Sequence, residues 1–202
     1  RHTSWNCDWS SDVCSSDLNA CICGPGSIAA CLLGKITGEE KYFAGAASVM
    51  DWVFRTLFEP ETGRVYDCIN IDGSVNRWAS TYNQGTFIGA CTLLWEHTGD
   101  EKYLKYAAKA AEFAKYHMYH GGVMNNETTG GDLIGFKGIL TRWLRMFALK
   151  ANRPEFIDWL RINAAAAWSN RNKDGLIWTA WGDKTNDDIS EYDVFGMSTA
   201  VA

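Results

Sequence analysis

No single charge dominates this 202-residue sequence: 19 Lys and Arg stand against 24 Asp and Glu, a formal −5 at pH 7. That balance leaves no basic footprint for nucleic acid or for an anionic membrane surface. No apolar run approaches the roughly 20 residues of a membrane span, so none is expected. The N-terminus has no cationic start followed by an apolar core, and therefore no recognisable secretory signal. Cysteine offers no framework either. The seven are odd in number and irregular in spacing, and Cys31 and Cys91 sit among Ala and Leu as small buried residues do. The Cys21-x-Cys23 pair has no second pair to complete a zinc site, and no metal or other cofactor is expected.

Apolar periodicity is missing from one particular stretch, DWSSDVCSSDL at 8–18. Read back into codons, it resembles a common short-read sequencing-library adapter translated in frame. Arg1-His2-Thr3 resembles the same oligonucleotide further upstream, with Ser4 a misfit and Trp5 to Cys7 in its variable index. Residues 1–18 are therefore expected to be foreign to the protein and to make no specific tertiary contact. They hold one Arg against three Asp, a net −2, so the remaining 184 residues carry −3. Cys7 and Cys14 leave with them. What remains, 19–202, is long enough for one domain with a core.

That remainder repeats itself. GPGSIAACLLGKITGEEKYFAGAA at 24–47 aligns without gaps on GTFIGACTLLWEHTGDEKYLKYAA at 85–108, an offset of 61 residues. A weaker third copy, GILTRWLRMFALKANRPEFIDWLR, starts at Gly138 with Phe156 in place of Tyr42 and Tyr103, and GMSTAVA from Gly196 looks like the start of a fourth. Each copy holds an apolar segment, a short polar turn (Thr37-Gly38, Thr98-Gly99, Asn152-Arg153) and a second, amphipathic segment, which predicts two helices per repeat. The first of each pair is rich in Ala, Gly, Leu and Ile and suits an inner position. The second, alternating charge with aromatics, suits an outer one. With longer loops at 58–80 and 119–135, the pattern predicts an all-α fold, an α/α toroid of about three hairpins plus the start of a fourth. A coiled coil lacks its sustained heptad here, and a tetratricopeptide array lacks its period of about 34 residues.

STYNQGTFIGACTLLWEHTGDEKYL at 80–104 strongly resembles glycoside hydrolase family 76, the endo-acting α-1,6-mannanases. So do TGRVYDCI at 62–69, GDLIGFKGILTRWL at 131–144 and NACICGPGSIAACLL at 19–33, in the family's order. The resemblance implies an (α/α)6 barrel, of which 19–202 would be the C-terminal half. It also implies that an adjacent Asp-Asp pair, the acid and the nucleophile of glycoside hydrolysis, lies upstream of Asn19 and is absent from this chain. The adjacent acids that are present, Asp187 and Asp188 in NDDISEYD, stand at the wrong place in that order and read as a solvated loop.

For substrate contact the resemblance points to Tyr82, Asn83 and Gln84 at the start of an inner helix. Amides there can meet neutral sugar hydroxyls without the desolvation cost of a charge. The bland alternative is helix capping by Asn83. Asp67 and Lys137 occupy matching loop-to-helix positions in other repeats, with a structural hydrogen bond or a helix-end charge as the alternative, and Asp132 is a weaker candidate. Asn19 matches a family Asn near the cleft, although Cys23 replaces a usually polar residue beside it. Among the tryptophans, Trp52, Trp143, Trp159 and Trp168 fall at core spacing, whereas Trp78, Trp178 and Trp181 lie in loops that could line a cleft. The function implied is metal-independent hydrolysis of an α-mannan polysaccharide by a secreted, periplasmic or cell-surface parent protein. The alternatives are a cell-wall mannan transglycosidase of the same family and a non-catalytic helical carbohydrate-binding or scaffold protein.

Overall fold

The computed structural model describes residues 18–128, 131–188, 190, 192 and 194–201. Three long helical hairpins account for most of them: α1 (Ala20–Thr37) with α2 (Glu40–Thr56), α3 (Thr81–Thr98) with α4 (Glu101–His117), and α5 (Phe136–Lys150) with α6 (Pro154–Ser169). A short α7 (Val194–Ser198) and a 3-10 turn (Thr199–Val201) follow, where the fourth copy was expected to begin. The two long loops are more ordered than the sequence suggested. They hold two-residue antiparallel ladders, β2 (Phe58–Glu59) with β3 (Arg64–Val65) and β6 (Tyr119–His120) with β7 (Val123–Met124). β4 (Cys68–Ile69) lies between β1 (Leu18–Asn19) and β5 (Val75–Asn76).

The same device closes the first two hairpins. Gly38 and Gly99 adopt left-handed backbone at φ 72° and 69°, where a Cβ would cost energy. One residue earlier, the hydroxyls of Thr37 and Thr98 donate to the carbonyls of Leu33 and Leu94 and accept the N–H groups of Glu39 and Asp100. In the third hairpin Asn152 takes the left-handed position at φ 52° and Pro154 opens the next helix.

α1, α3 and α5 pack side by side as an inner row, with α2, α4 and α6 outside them. Small residues set the spacing of that row. A Cβ added at Gly24 of α1 would meet Thr86 of α3 at 2.5 Å, and one added at Gly85 of α3 would meet the Leu140 backbone of α5 at 2.6 Å. Gly24 and Gly85 are 61 residues apart, so one close approach recurs in successive repeats. At the C-terminal end of the row, Glu96 of α3 pairs with Lys35 of α1 and Lys150 of α5. Between the layers Phe54, Phe58, Phe87, Tyr103 and Tyr106 form an aromatic cluster, with Phe58 and Phe87 stacked at 4.7 Å between centroids.

α3, with a neighbour on each flank, is buried from Asn83 through Leu94. α1 has a neighbour on one flank, and Ile22, Leu32, Leu33 and Ile36 are exposed. α1 also corrects the membrane expectation: over its 18 residues the mean hydropathy is 1.4, long and apolar enough to span by length and composition. Its buried residues, Ala20, Gly24, Ser27, Ile28, Cys31 and Gly34, pack on α2 and α3.

Two further expectations change. Of the segment taken as foreign, residues 1–17 lie outside the described residues, while Leu18 pairs with Ile69 in β4. Trp168, placed in the core by its spacing, is 64% exposed and lies under the Arg171 guanidinium at 3.5 Å.

Candidate functional site

The first turns of the three inner helices meet at one end of the row. The Tyr82 hydroxyl of α3 donates to the Cys21 carbonyl of α1 at 3.4 Å, and the Tyr82 ring lies 5.0 Å from that of Phe136 in α5. Both rings are half-buried. Burial raises the Tyr82 phenol above its usual range, so the group stays neutral and able to donate.

Ser80, rather than Asn83, caps α3: its hydroxyl accepts the Asn83 N–H at 3.1 Å. That frees the Asn83 side chain, whose Nδ2 donates to Asp67 Oδ1 at 3.0 Å. The half-buried Asp67 also accepts from Asn76 at 3.3 Å, and its backbone carbonyl receives the Ala20 N–H at the start of α1. Asn83 Oδ1 is buried and has no hydrogen-bond partner among the described residues, an acceptor at the joint between α3 and the loop that carries Asp67. Asn83 is thus bonded to Asp67, while Tyr82, the residue before it, lies against Phe136.

Three other candidates stand behind them as supports. Asn19 is the N-cap of α1, its Oδ1 accepting from the Ile22 N–H and the Cys21 thiol, both at 3.1 Å. Gln84 is 0% exposed. Its Oε1 accepts the Val65 N–H at 2.6 Å, and its Nε2 donates to the carbonyls of Gly63 and Ala110 at 3.0 Å, bolting the β2–β3 turn to α4. Every polar atom of its amide is bonded to backbone, which corrects the expectation that it faces sugar.

Lys137 is likewise fully buried, with Nζ donating to the Thr179 carbonyl and lying 4.8 Å above the Trp181 ring. Burial lowers its pKa to about 8, against the opposing pull of Glu127 and Asp183. Trp181, expected to line a cleft, is buried. Trp178 is half-buried and stacks on Tyr192 at 4.3 Å. Asp132 precedes the 3-10 turn Leu133–Gly135 and makes no side-chain cap bond. Asp187 and Asp188 are exposed, accepting the backbone N–H groups of Lys173 and Ser190.

Sequence reasoning missed Glu127. It sits in the polar loop after β7 with no periodicity around it, and the nearest cue is the run of Asn125 and Asn126 before it. Its carboxylate accepts both the N–H (3.1 Å) and the hydroxyl of Thr81, the first residue of α3. Burial pushes its pKa up, which the Thr81 bonds and Lys137 partly oppose.

The sequence model of Glycosyl hydrolase family 76 matches residues 4–200, beginning inside the segment read as adapter-derived. Among curated relatives, the mannan endo-1,6-α-mannosidase DCW1 of Candida albicans is 27% identical over 171 residues, covering 74% of this chain and 38% of the relative. DCW1 of Eremothecium gossypii is 26% identical over 159 residues, covering 71% and 35%. The solved GH76A α-1,6-mannanase from Salegentibacter sp. HEL1_6 is 35% identical with a TM-score of 0.85, covering 92% of this chain and 57% of that one. An inactive variant of that enzyme, altered at two adjacent aspartates, was solved with α-1,6-mannotetrose and matches at 34% identity and the same TM-score. The chain thus spans 38% of the first curated relative and 57% of the first solved one. With nearly the whole sequence matched and its helical hairpins superposing on solved α/α-barrel members, the chain belongs to glycosyl hydrolase family 76.

Proposed function

We propose that this chain is the C-terminal half, residues 19–202, of an endo-acting α-1,6-mannan hydrolase. In this reading it supplies one wall of the substrate groove and none of the catalytic acids. The observation that carries the proposal is the convergence of Asp67, Asn83 and Tyr82 at the first turns of the inner helices, in a fold whose relative holds an α-1,6-mannooligosaccharide.

The chemistry of the groups fits. A half-exposed carboxylate and a half-buried phenol offer acceptors and donors to sugar hydroxyls, and the Tyr82–Phe136 pair offers an aromatic surface to a ring's C–H face. Hydrolysis then needs a carboxylic acid to protonate the departing glycosidic oxygen and a carboxylate to attack or shield the anomeric carbon. Adjacent aspartates of the Salegentibacter enzyme are replaced in its inactive variant, and the adjacent acids of this chain, Asp187 and Asp188, are exposed and hold the backbone N–H groups of Lys173 and Ser190. We assign both roles to residues upstream of Asn19. A polymeric mannan substrate places the parent protein outside the cytoplasm, secreted or at the cell surface.

The test is an assay on α-1,6-mannan of this chain beside a version in which the upstream half of the parent gene is joined before Asn19. Turnover by the joined protein and none by the 202-residue chain is expected. Comparable turnover by both would place the chemistry in this half and overturn the assignment.

A further inference from the structure

Glu127, Lys137 and Asp183 come from three segments, the loop after β7, the first turn of α5 and the loop after α6. The charges acting on Lys137 are Glu127 and Asp183, and the charge acting on Glu127 is Lys137. Each member holds a different piece of backbone or loop. Glu127 grips the N-terminus of α3 through both polar groups of Thr81. Lys137 grips the Thr179 carbonyl, which also accepts the backbone N–H of Trp181 at 3.0 Å, and its ammonium lies over the Trp181 ring. Asp183 accepts from Asn126, the neighbour of Glu127, at 2.5 Å.

This cluster is a poor device for stability. Lys137 sits in the first turn of a helix, the end where the backbone dipole disfavours a cation, and buried charges rarely recover their desolvation cost. Its placement makes sense as positioning. Thr81 and Lys137 are the residues directly adjoining Tyr82 and Phe136, the aromatic pair at the mouth.

We propose that Glu127, Lys137 and Asp183 are positioning residues: a charge latch centred on the buried Lys137, with the half-buried Glu127 and the exposed Asp183 around it, that locks the Tyr82–Phe136 pair and the Trp181 loop into one arrangement without touching sugar. Only its ligand arm rests on the reading of the mouth as a mannan groove.

Two measurements on the 202-residue chain test the latch itself. The first is the pH dependence of Trp181 emission, isolated by difference from Trp181→Phe. Deprotonation of Lys137 removes the charge over the ring, so a step with a midpoint near pH 8 is expected. The step should be absent in Lys137→Arg, which keeps the charge. A flat trace from pH 6 to 10 would overturn the proposal. The second is a thermal-unfolding cycle of Glu127→Gln, Lys137→Met and the double variant. Each single change strands one charge and the double strands neither, so the double should be more stable than the summed singles. Additivity would overturn the latch.

For the ligand arm, Lys137→Met should weaken α-1,6-mannotriose binding at least fivefold, although Lys137 has no exposed atom. Equal affinity in variant and parent would refute the positioning role. Failure of the unaltered chain to bind mannotriose would instead refute the groove reading, leaving the emission and cycle results to decide the latch.

Discussion

α1 and α3 are aligned copies in different surroundings. Leu33 of α1 and Leu94 of α3 occupy the same repeat position, yet the first is 40% exposed and the second 0%. The cause is neighbours rather than sequence. α3 is flanked by α1 and α5, whereas α1 has α3 on one side and, among the described residues, no inner helix on the other. Position 23 of α1 corresponds in the same way to position 84 of α3. Gln84 reaches the β2–β3 turn and α4, while Cys23 carries a half-buried thiol whose pKa burial raises. An inner helix of this fold is thus built to be enclosed, and the repeat shows what enclosure does to each position.

The comparison is broken most sharply by truncating both leucines. Leu94→Ala should cost about 2–5 kcal/mol, the range for emptying a closed core site, and Leu33→Ala less than about 1 kcal/mol. Urea unfolding of both variants decides it, and equal losses would mean that α1 is already enclosed. Next in size is the pair at aligned positions 23 and 84. Gln84→Ala leaves the Val65 N–H and the Gly63 and Ala110 carbonyls without their partner and should cost about 1–3 kcal/mol. Cys23→Ala should cost under about 1 kcal/mol, and the same unfolding experiment reads both.

A smaller effect belongs to Glu127. Its pKa is raised in the folded state, so between pH 4.5 and that raised value the folded chain holds more protons than the unfolded one. Stability then falls as pH rises through this window. Glu127→Gln should remove that part of the slope in melting temperature between pH 4 and 7, and an unchanged slope would argue against a buried carboxyl. Smallest in stability is Ile36→Lys on the exposed flank of α1, where Ile36 is 83% exposed. It should shift unfolding by no more than about 0.5 kcal/mol. It should also reduce self-association in light scattering, because Ile22, Leu32 and Leu33 form part of the same apolar face.

The hairpins were legible because their cues are local. A helical period and a residue able to take positive φ after it are both written in adjacent letters, as at Thr37-Gly38 and Thr98-Gly99. The inner and outer roles followed from composition. The site was legible only in part. Asp67, Asn83 and Tyr82 do meet, but nothing near Gln84 announces that its partners are backbone atoms of a turn and of another helix. Lys137 beside Gly138 gives no hint of a carbonyl 42 residues away or of an indole beneath it. Glu127 had no local pattern at all. Trp168 followed core spacing yet stands exposed against Arg171, since spacing records which face a residue shares and not whether another element covers that face.

The proposed function predicts that the open flank of α1 is an inner-barrel surface that packs against hairpins joined before Asn19. Its most direct test is the cost of Leu33→Ala measured twice by urea unfolding, in the 202-residue chain and in the protein with its upstream half joined. The cost should rise from under about 1 kcal/mol to the 2–5 kcal/mol range of a closed core, matching Leu94→Ala. A cost that stays the same in both would contradict the account.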